Sequence, residues 1–269
     1  MLRSQLYVPA NDEKKLRRAA SLDCDSIIFD LEDAVPAEEK SSARNTLRKM
    51  LEEEIWKDKE LGIRINKVNQ KYSSEDISIF KNVGSITFLV LPKSENPLGA
   101  FENECGKKLM PLIETARGLL RIEDIAESKG VFALGYGAAD FADSVQGLTS
   151  AYLENPYVKT KIVATAASCG LMALDNVFFD LSDLEGFRKQ AQQSRGLGYS
   201  GKQVIHPSQI PIANEIYSPS EQEIESARKI VSAYEAASRE RRGAFKMNDQ
   251  LIDAVHYRQA KKTLGEVSE

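Results

Sequence analysis

The sequence predicts a closed (β/α)8 TIM-type barrel with a C-terminal helical and hairpin extension. Three observations carry that reading. Short apolar, β-branched-rich runs alternate with longer charged runs of helical period. Eight such units fill most of the 269 residues, which favours a closed barrel over an open doubly wound sheet. Several of the apolar runs lack polar alternation, as expected of parallel strands covered on both faces.

The strands are expected at Gln5–Pro9, Ser26–Leu31, Gly62–Asn66, Ser85–Pro92, Lys108–Glu114, Val131–Gly135, Leu171–Phe179 and Gly201–His206. Amphipathic segments lie between them at Glu13–Ser21, Ala37–Ile55, Ser73–Lys81, Thr115–Ser128, Tyr157–Cys169 and Leu184–Leu197. The fourth unit, Ser94–Lys107, contains Pro97 and Gly99, so any helix there is short. Beyond the eighth strand, Ser220 and Glu223 have capping-box spacing and open a helix over Glu221–Arg241. A hairpin follows, Ala244–Met247 to Leu251-Ile252, with Asn248-Asp249 at the turn because both residues tolerate the left-handed conformation. The barrel is assigned to residues 1–218. Residues 219–269 are an extension of the same domain, suited to packing on a neighbouring subunit.

The net charge of −4 gives no global basic excess, so neither nucleic acid nor a membrane surface is an expected partner. An anionic ligand would need a local basic cluster. Cys24, Cys105 and Cys169 are far apart and not in zinc-binding pairs, which fits a reducing compartment. No apolar run approaches the ~18 residues of a transmembrane helix, and the N-terminus lacks the pattern of a signal peptide. The expected location is cytoplasmic.

In a parallel barrel the C-terminal strand ends form one rim, where active sites sit. The segment Ser26-Ile27-Ile28-Phe29 runs into Asp30-Leu31-Glu32-Asp33, three carboxylates in four residues that need a nearby positive charge. The other rim groups are Arg64 and Asn66, Lys93, Glu114, Asp140, Asp175 and His206. Oxygen ligands without paired Cys or His favour Mg²⁺ or Mn²⁺ over zinc. Glu114 closes the apolar strand Leu109–Ile113, and Asp140 follows Gly135-Tyr136-Gly137-Ala138-Ala139; either acid could instead cap a helix. Arg64, centred in a short apolar strand, needs a carboxylate partner, from substrate or from Asp30 or Glu32. His206 could be a base or a hydrogen-bonded structural residue. Lys14, Lys15, Arg17 and Arg18 form either a solvated face or a phosphate site near the rim.

These residues together resemble the citrate lyase beta-subunit family. That group, with malyl-CoA and citramalyl-CoA lyases, belongs to the HpcH/HpaI aldolase superfamily. The matching segments run from Arg3-Ser4 and Val8-Pro9 through Asp30–Val35, Lys40 and Ala43-Arg44. They continue in Arg64-Ile65-Asn66, Leu91-Pro92-Lys93, Leu112–Thr115, Gly135–Asp140, Gly198–Lys202, Ile205-His206-Pro207 with Gln209, and Ile252-Asp253. The resemblance implies Mg²⁺ (or Mn²⁺) held by Glu114 and Asp140. It implies a substrate carboxylate or carbonyl met by Arg64, with Arg3 and His206 also on substrate and the N–H groups of Gly137 and Ala138 on its carboxylate. It implies Asp253 as acid/base, donated to a neighbouring subunit of a trimer or hexamer, with Glu32 and Asp33 as outer support of the metal and Arg64. The implied reaction is reversible carbon–carbon lysis of a 3-hydroxyacyl-CoA, the CoA being part of the substrate. The alternatives are an aldolase on free 2-keto acids, and a citrate lyase-type subunit active only with partner chains.

Overall fold

The computed structural model describes residues 2–56, 59–68, 70–99, 101, 105–239 and 243–265. They form two compact units, Met1–Tyr217 and Ser218–Glu269.

The first unit is a closed barrel of eight parallel strands in chain order. These are β1 (Ser4–Pro9), β2 (Ser26–Asp30), β3 (Glu60–Arg64), β4 (Phe88–Leu91), β5 (Lys108–Ile113), β6 (Ala133–Tyr136), β7 (Met172–Asp175) and β8 (Gly201–Val204). The barrel closes where β1 pairs with β8, Ser4 opposite Lys202. Strand alternation sorts the apolar side chains into two cores. Ile28, Phe88, Val90, Met110, Leu112 and Leu174 belong to the smaller, interior cluster. Ile27, Phe29, Ile63, Leu89 and Leu109 belong to the larger one between strands and helices. Gly62 makes room for the interior, since a Cβ there would lie 2.3 Å from the Phe88 ring.

Helices follow the strands with some departures from expectation. The segment expected as Ala37–Ile55 is an α-helix over Lys40–Met50 flanked by single turns at Ala37–Glu39 and Glu54–Trp56. Thr115–Ser128 is two short helices, Ala116–Leu120 and Ile122–Ala126, broken at Arg121 (φ −119°). Gly118 draws the first onto the β4 loop, where a Cβ would lie 2.4 Å from the Ser94 carbonyl oxygen. The break lets Ile122 and Ile125 reach the core. β7 ends at Asp175 and β8 at Val204, short of the expected ends at Phe179 and His206. The Ser94–Lys107 unit falls partly outside the described residues.

The second unit holds the helix Glu221–Arg239, the hairpin β9 (Phe245–Met247) and β10 (Gln250–Ile252), and the helix Ala254–Thr263. Ser220 and Glu223 cap the first helix reciprocally, at 3.2 and 2.7 Å. The end expected at Arg241 lies outside the described residues. Asn248 and Asp249 take φ of 47° and 62° at the hairpin turn. Tyr234 stacks on Tyr257 with ring centroids 4.6 Å apart. Among the described residues no helix is long and apolar enough to cross a membrane.

Candidate active site

The acidic segment after β2 is held by its own first acid. Asp30 accepts the main-chain N–H of Glu32 at 2.9 Å and of Ala34 at 3.2 Å. The buried Lys40 ammonium donates to the carbonyls of Leu31 and Glu32, both at 2.8 Å. Asp30 also takes Arg64 of β3 in a two-point grip, Nε at 2.8 Å and Nη2 at 2.6 Å. The third guanidinium nitrogen meets Glu32 at 3.0 Å and Asp33 at 4.0 Å. Burial opposes the Arg64 charge, but Asp30 and Glu32 outweigh it and raise its pKa further.

Beneath Arg64 lies the ring of Tyr7, 5.4 Å from the guanidinium carbon. The Tyr7 hydroxyl donates to Gln203 at 2.7 Å, and Gln203 donates to the carbonyls of Tyr136 and Asp175. This floor is not among the residues the sequence singles out. Inward parity on β1 and β8 is the signal that could have found it.

Glu114 follows β5 and is 2% exposed. Burial, then the neighbouring Asp140 charge, push its carboxyl up to about 8, against the pull of Arg64 and Lys93. One oxygen accepts the Lys93 main-chain N–H at 2.7 Å. The other faces Gly137, where a Cβ would lie only 2.2 Å away. Glu114 is not the helix cap: the Thr115 side chain takes that place, accepting from Gly118 N. Asp140 is not a cap either; it sits in the first turn of the helix Ala138–Ser144, after Gly137. The Lys93 ammonium lies 2.6 Å from Glu32, 3.2 Å from Asp140 and 3.5 Å from Asp33.

A cavity of about 730 Å³ opens over this rim. Arg64, Glu114, Asp140, Gly137, Ala138 and His206 line it, with Asp30 and Asp33. Lys15 and Arg18 of the helix Glu13–Ala20 line it too, whereas Arg17 is engaged by Glu13 and Glu53. His206 Nδ1 sits 2.8 Å from the Ser208 hydroxyl and accepts its main-chain N–H at 3.3 Å, which leaves Nε2 to carry the proton of a neutral ring.

Among the described residues no three His, Cys, Asp or Glu side chains form a metal cage. Glu114 and Asp140 fit an ion that takes one or two protein carboxylates and fills its remaining positions with water and ligand oxygens. The Glu114 carboxyl is raised by burial first and by the Asp140 charge second.

The expectations for Arg3, Gly137 and Asp175 need correction, while Asn66 and Asp253 are placed without overturning theirs. Arg3 does not reach substrate: it precedes β1 at the barrel's opposite end and grips Asp25 at 2.6–2.9 Å. Six residues of strand, roughly 20 Å, separate it from the mouth. The Gly137 N–H is used within the barrel by the Ile113 carbonyl at 3.3 Å, so it is not a substrate donor. Asp175 is a rim residue by sequence, but its carboxylate points into the helix layer, between Lys159 at 3.0 Å and Lys202 at 2.6 Å. Asn66 is buried and donates to Leu31 and Asp76. Asp253 belongs to the second unit, as N-cap of the helix Ala254–Thr263. Hydrogen bonds from the His256 ring, 2.7 Å away, and from main-chain N–H groups hold its carboxyl below the usual range.

Residues 3–207 match the family HpcH/HpaI aldolase/citrate lyase, and residues 151–267 match the C–C bond lyase family of the TIM-barrel fold. The chain is 34% identical to the human mitochondrial citramalyl-CoA lyase, over 97% of this chain and 84% of that one. It is 32% identical to citrate lyase subunit beta of Leuconostoc mesenteroides subsp. cremoris, over 93% and 88%. A crystal structure of the CitE protein of Mycobacterium tuberculosis in complex with magnesium, acetoacetate and coenzyme A superposes with a TM-score of 0.85 at 29% identity, covering 99% of this chain and 98% of that one. The chain therefore belongs to the HpcH/HpaI aldolase/citrate lyase family of carbon–carbon lyases.

Proposed function

We propose that this enzyme is a Mg²⁺-dependent lyase that reversibly cleaves a 3-hydroxyacyl-CoA thioester of the citramalyl, malyl or citryl type into acetyl-CoA or another acyl-CoA and a 2-keto acid. The observation that carries this reading is the buried Glu114 carboxyl facing Asp140, across a cavity mouth from the fixed charge of Arg64. When bound there, the cation supplies Lewis acidity to the hydroxyl and carboxylate oxygens of the acyl group. Arg64, locked by Asp30 over the Tyr7 ring, holds a positive charge where the thioester enolate develops after the carbon–carbon bond breaks. The electron pair of that bond goes to the enolate as the hydroxyl gives its proton to solvent water and becomes the carbonyl of the keto acid, and the proton later delivered to the enolate carbon is taken up from solvent by Asp253. Asp253 of a neighbouring subunit then protonates the enolate carbon, and removes that proton in the synthetic direction. Lys15 and Arg18 at the cavity edge suit the phosphates of the CoA arm.

Assembly as a trimer or hexamer belongs to the same proposal. So does a cytoplasmic location, which the three unbridged cysteines support.

The test is a panel of citryl-, malyl- and citramalyl-CoA incubated with the purified chain, with Mg²⁺ and with EDTA, reading keto acid released. Cleavage of at least one thioester, abolished by EDTA and restored by Mg²⁺, is expected. Cleavage of a free 4-hydroxy-2-keto acid with no thioester cleaved would favour the aldolase on free 2-keto acids, and activity indifferent to EDTA would end the metal reading.

A further inference from the structure

We propose that Lys93 is a built-in counter-cation: its ammonium occupies Asp140 while the site lacks a divalent ion, and moves wholly onto Glu32 and Asp33 when one enters. The inference rests on the metal-dependent reading above.

The backbone points to it first. Lys93 has φ of 49°, a left-handed conformation that a lysine does not adopt without cause. That conformation sends its main-chain N–H to Glu114 at 2.7 Å while its side chain reaches Asp140 at 3.2 Å. One residue thus addresses both carboxylates assigned to the ion, one by main chain and one by side chain.

The second argument is a surplus of partners. The ammonium faces Glu32 at 2.6 Å and Asp33 at 3.5 Å as well as Asp140. The two acids after β2 can hold it alone, and its grip on Glu32 is shorter than that on Asp140. The third is the contrast with Arg64. The Arg64 fork is fixed by two hydrogen bonds to Asp30, whereas a lysine is a point charge on a flexible four-carbon stem. Of Arg64 and Lys93, Lys93 is the one able to step aside. The acid pair Glu32 and Asp33 then receives the ammonium that the ion displaces.

The sign of the test follows from Coulomb's law. A positive charge beside the ion and in competition for Asp140 weakens binding, so removing it strengthens binding. Mg²⁺ affinity would be measured by calorimetry, and Mn²⁺ affinity by electron paramagnetic resonance, on the full chain without substrate. Both Lys93→Met and Lys93→Gln are expected to bind about tenfold tighter or more. Lys93→Arg, which keeps the charge, is expected to bind no tighter than the wild type. Thermal unfolding would show that each variant is folded; an unfolded Met variant leaves the Gln variant, which retains a hydrogen-bond donor for Glu32, to decide. Unchanged or weaker binding in the folded neutral variants overturns the proposal, as does an equal gain in the Arg variant. Absence of metal binding in every protein overturns this inference and the metal reading together. Tighter binding in a chain that cleaves no thioester overturns the lyase reading alone.

Discussion

Glu114 shows how one residue links fold stability to chemistry. Its carboxyl titrates near 4.5 in an unfolded chain and near 8 in the folded one, because burial and Asp140 disfavour its charge. A folded-state pKa above the unfolded value stabilises the fold at low pH, and that contribution is lost as pH rises from about 4.5 through about 8. In divalent-free buffer the melting temperature of Glu114→Gln, which mimics the protonated acid, should therefore gain on the wild type between pH 5 and pH 8.5. A gap that stays constant over that range would show that Glu114 does not titrate there. The same variant should lose ion binding and turnover. Glu114 was readable because an acid closing an apolar strand stands out in sequence, and Asp140 because it follows a run of small residues, but only the resemblance pairs them on an ion. Asp30 was readable as part of the acid burst and as one possible partner of Arg64, beside Glu32 and a substrate. Its hold on the following loop depends on a two-residue turn, and its grip on Arg64 on the register that sets the two opposite each other across β2 and β3, neither of which spacing reveals. Arg3 was placed on substrate by resemblance, and only its position before β1 shows that it staples β1 to Asp25 at the far end.

At the level of elements, the structure turns on which way each strand end points. Asp175 closes β7 as Asp30 closes β2, yet its side chain enters the helix layer. It is fully buried between Lys202 of β8 and Lys159 of the helix Pro156–Ser168, with Ser194 at 2.6 Å from the helix Leu184–Leu197. One carboxylate thus ties two helices and a strand together. Asp175→Ala would strand two buried ammonium groups, and should cost about 3–5 kcal/mol. Denaturant unfolding would measure that loss. Because the carboxylate faces away from the mouth, Mg²⁺ affinity of the folded variant should not change; a matching fall in affinity would return Asp175 to the site. Sequence periodicity located most of the helices and strands, but not the break at Arg121. That break follows from the close approach of Gly118 to Ser94, a contact between segments 24 positions apart. The ends of β7 and β8 were overextended because apolar residues continue past the last ladder pair into the cavity wall, as Val177, Phe179 and Ile205 do.

For the whole molecule, the alternation of eight apolar runs with amphipathic ones made the barrel legible, since each strand needs cover on both faces and each crossover needs a helix. The first helix and the hairpin of the second unit were legible because caps and turns are local, whereas the helix Ala254–Thr263 and its Asp253 N-cap were not foreseen. Where Asp253 acts is not local, and it calls for an experiment on the assembly. If Asp253 serves a neighbouring subunit, Glu114→Gln and Asp253→Ala destroy different halves of a composite site. Each alone should be inactive, with Asp253→Ala still binding Mg²⁺. In mixed oligomers made by co-expression, a site regains both groups when its barrel comes from one variant and its Asp253 from the other. Random one-to-one assembly of a cyclic oligomer then restores about one quarter of wild-type turnover. If Asp253 instead serves its own barrel, every chain in the mixture carries one lesion in its own site, and no turnover returns at any ratio. Measured turnover against mixing ratio, with oligomeric state read by light scattering on the same samples, separates the two arrangements.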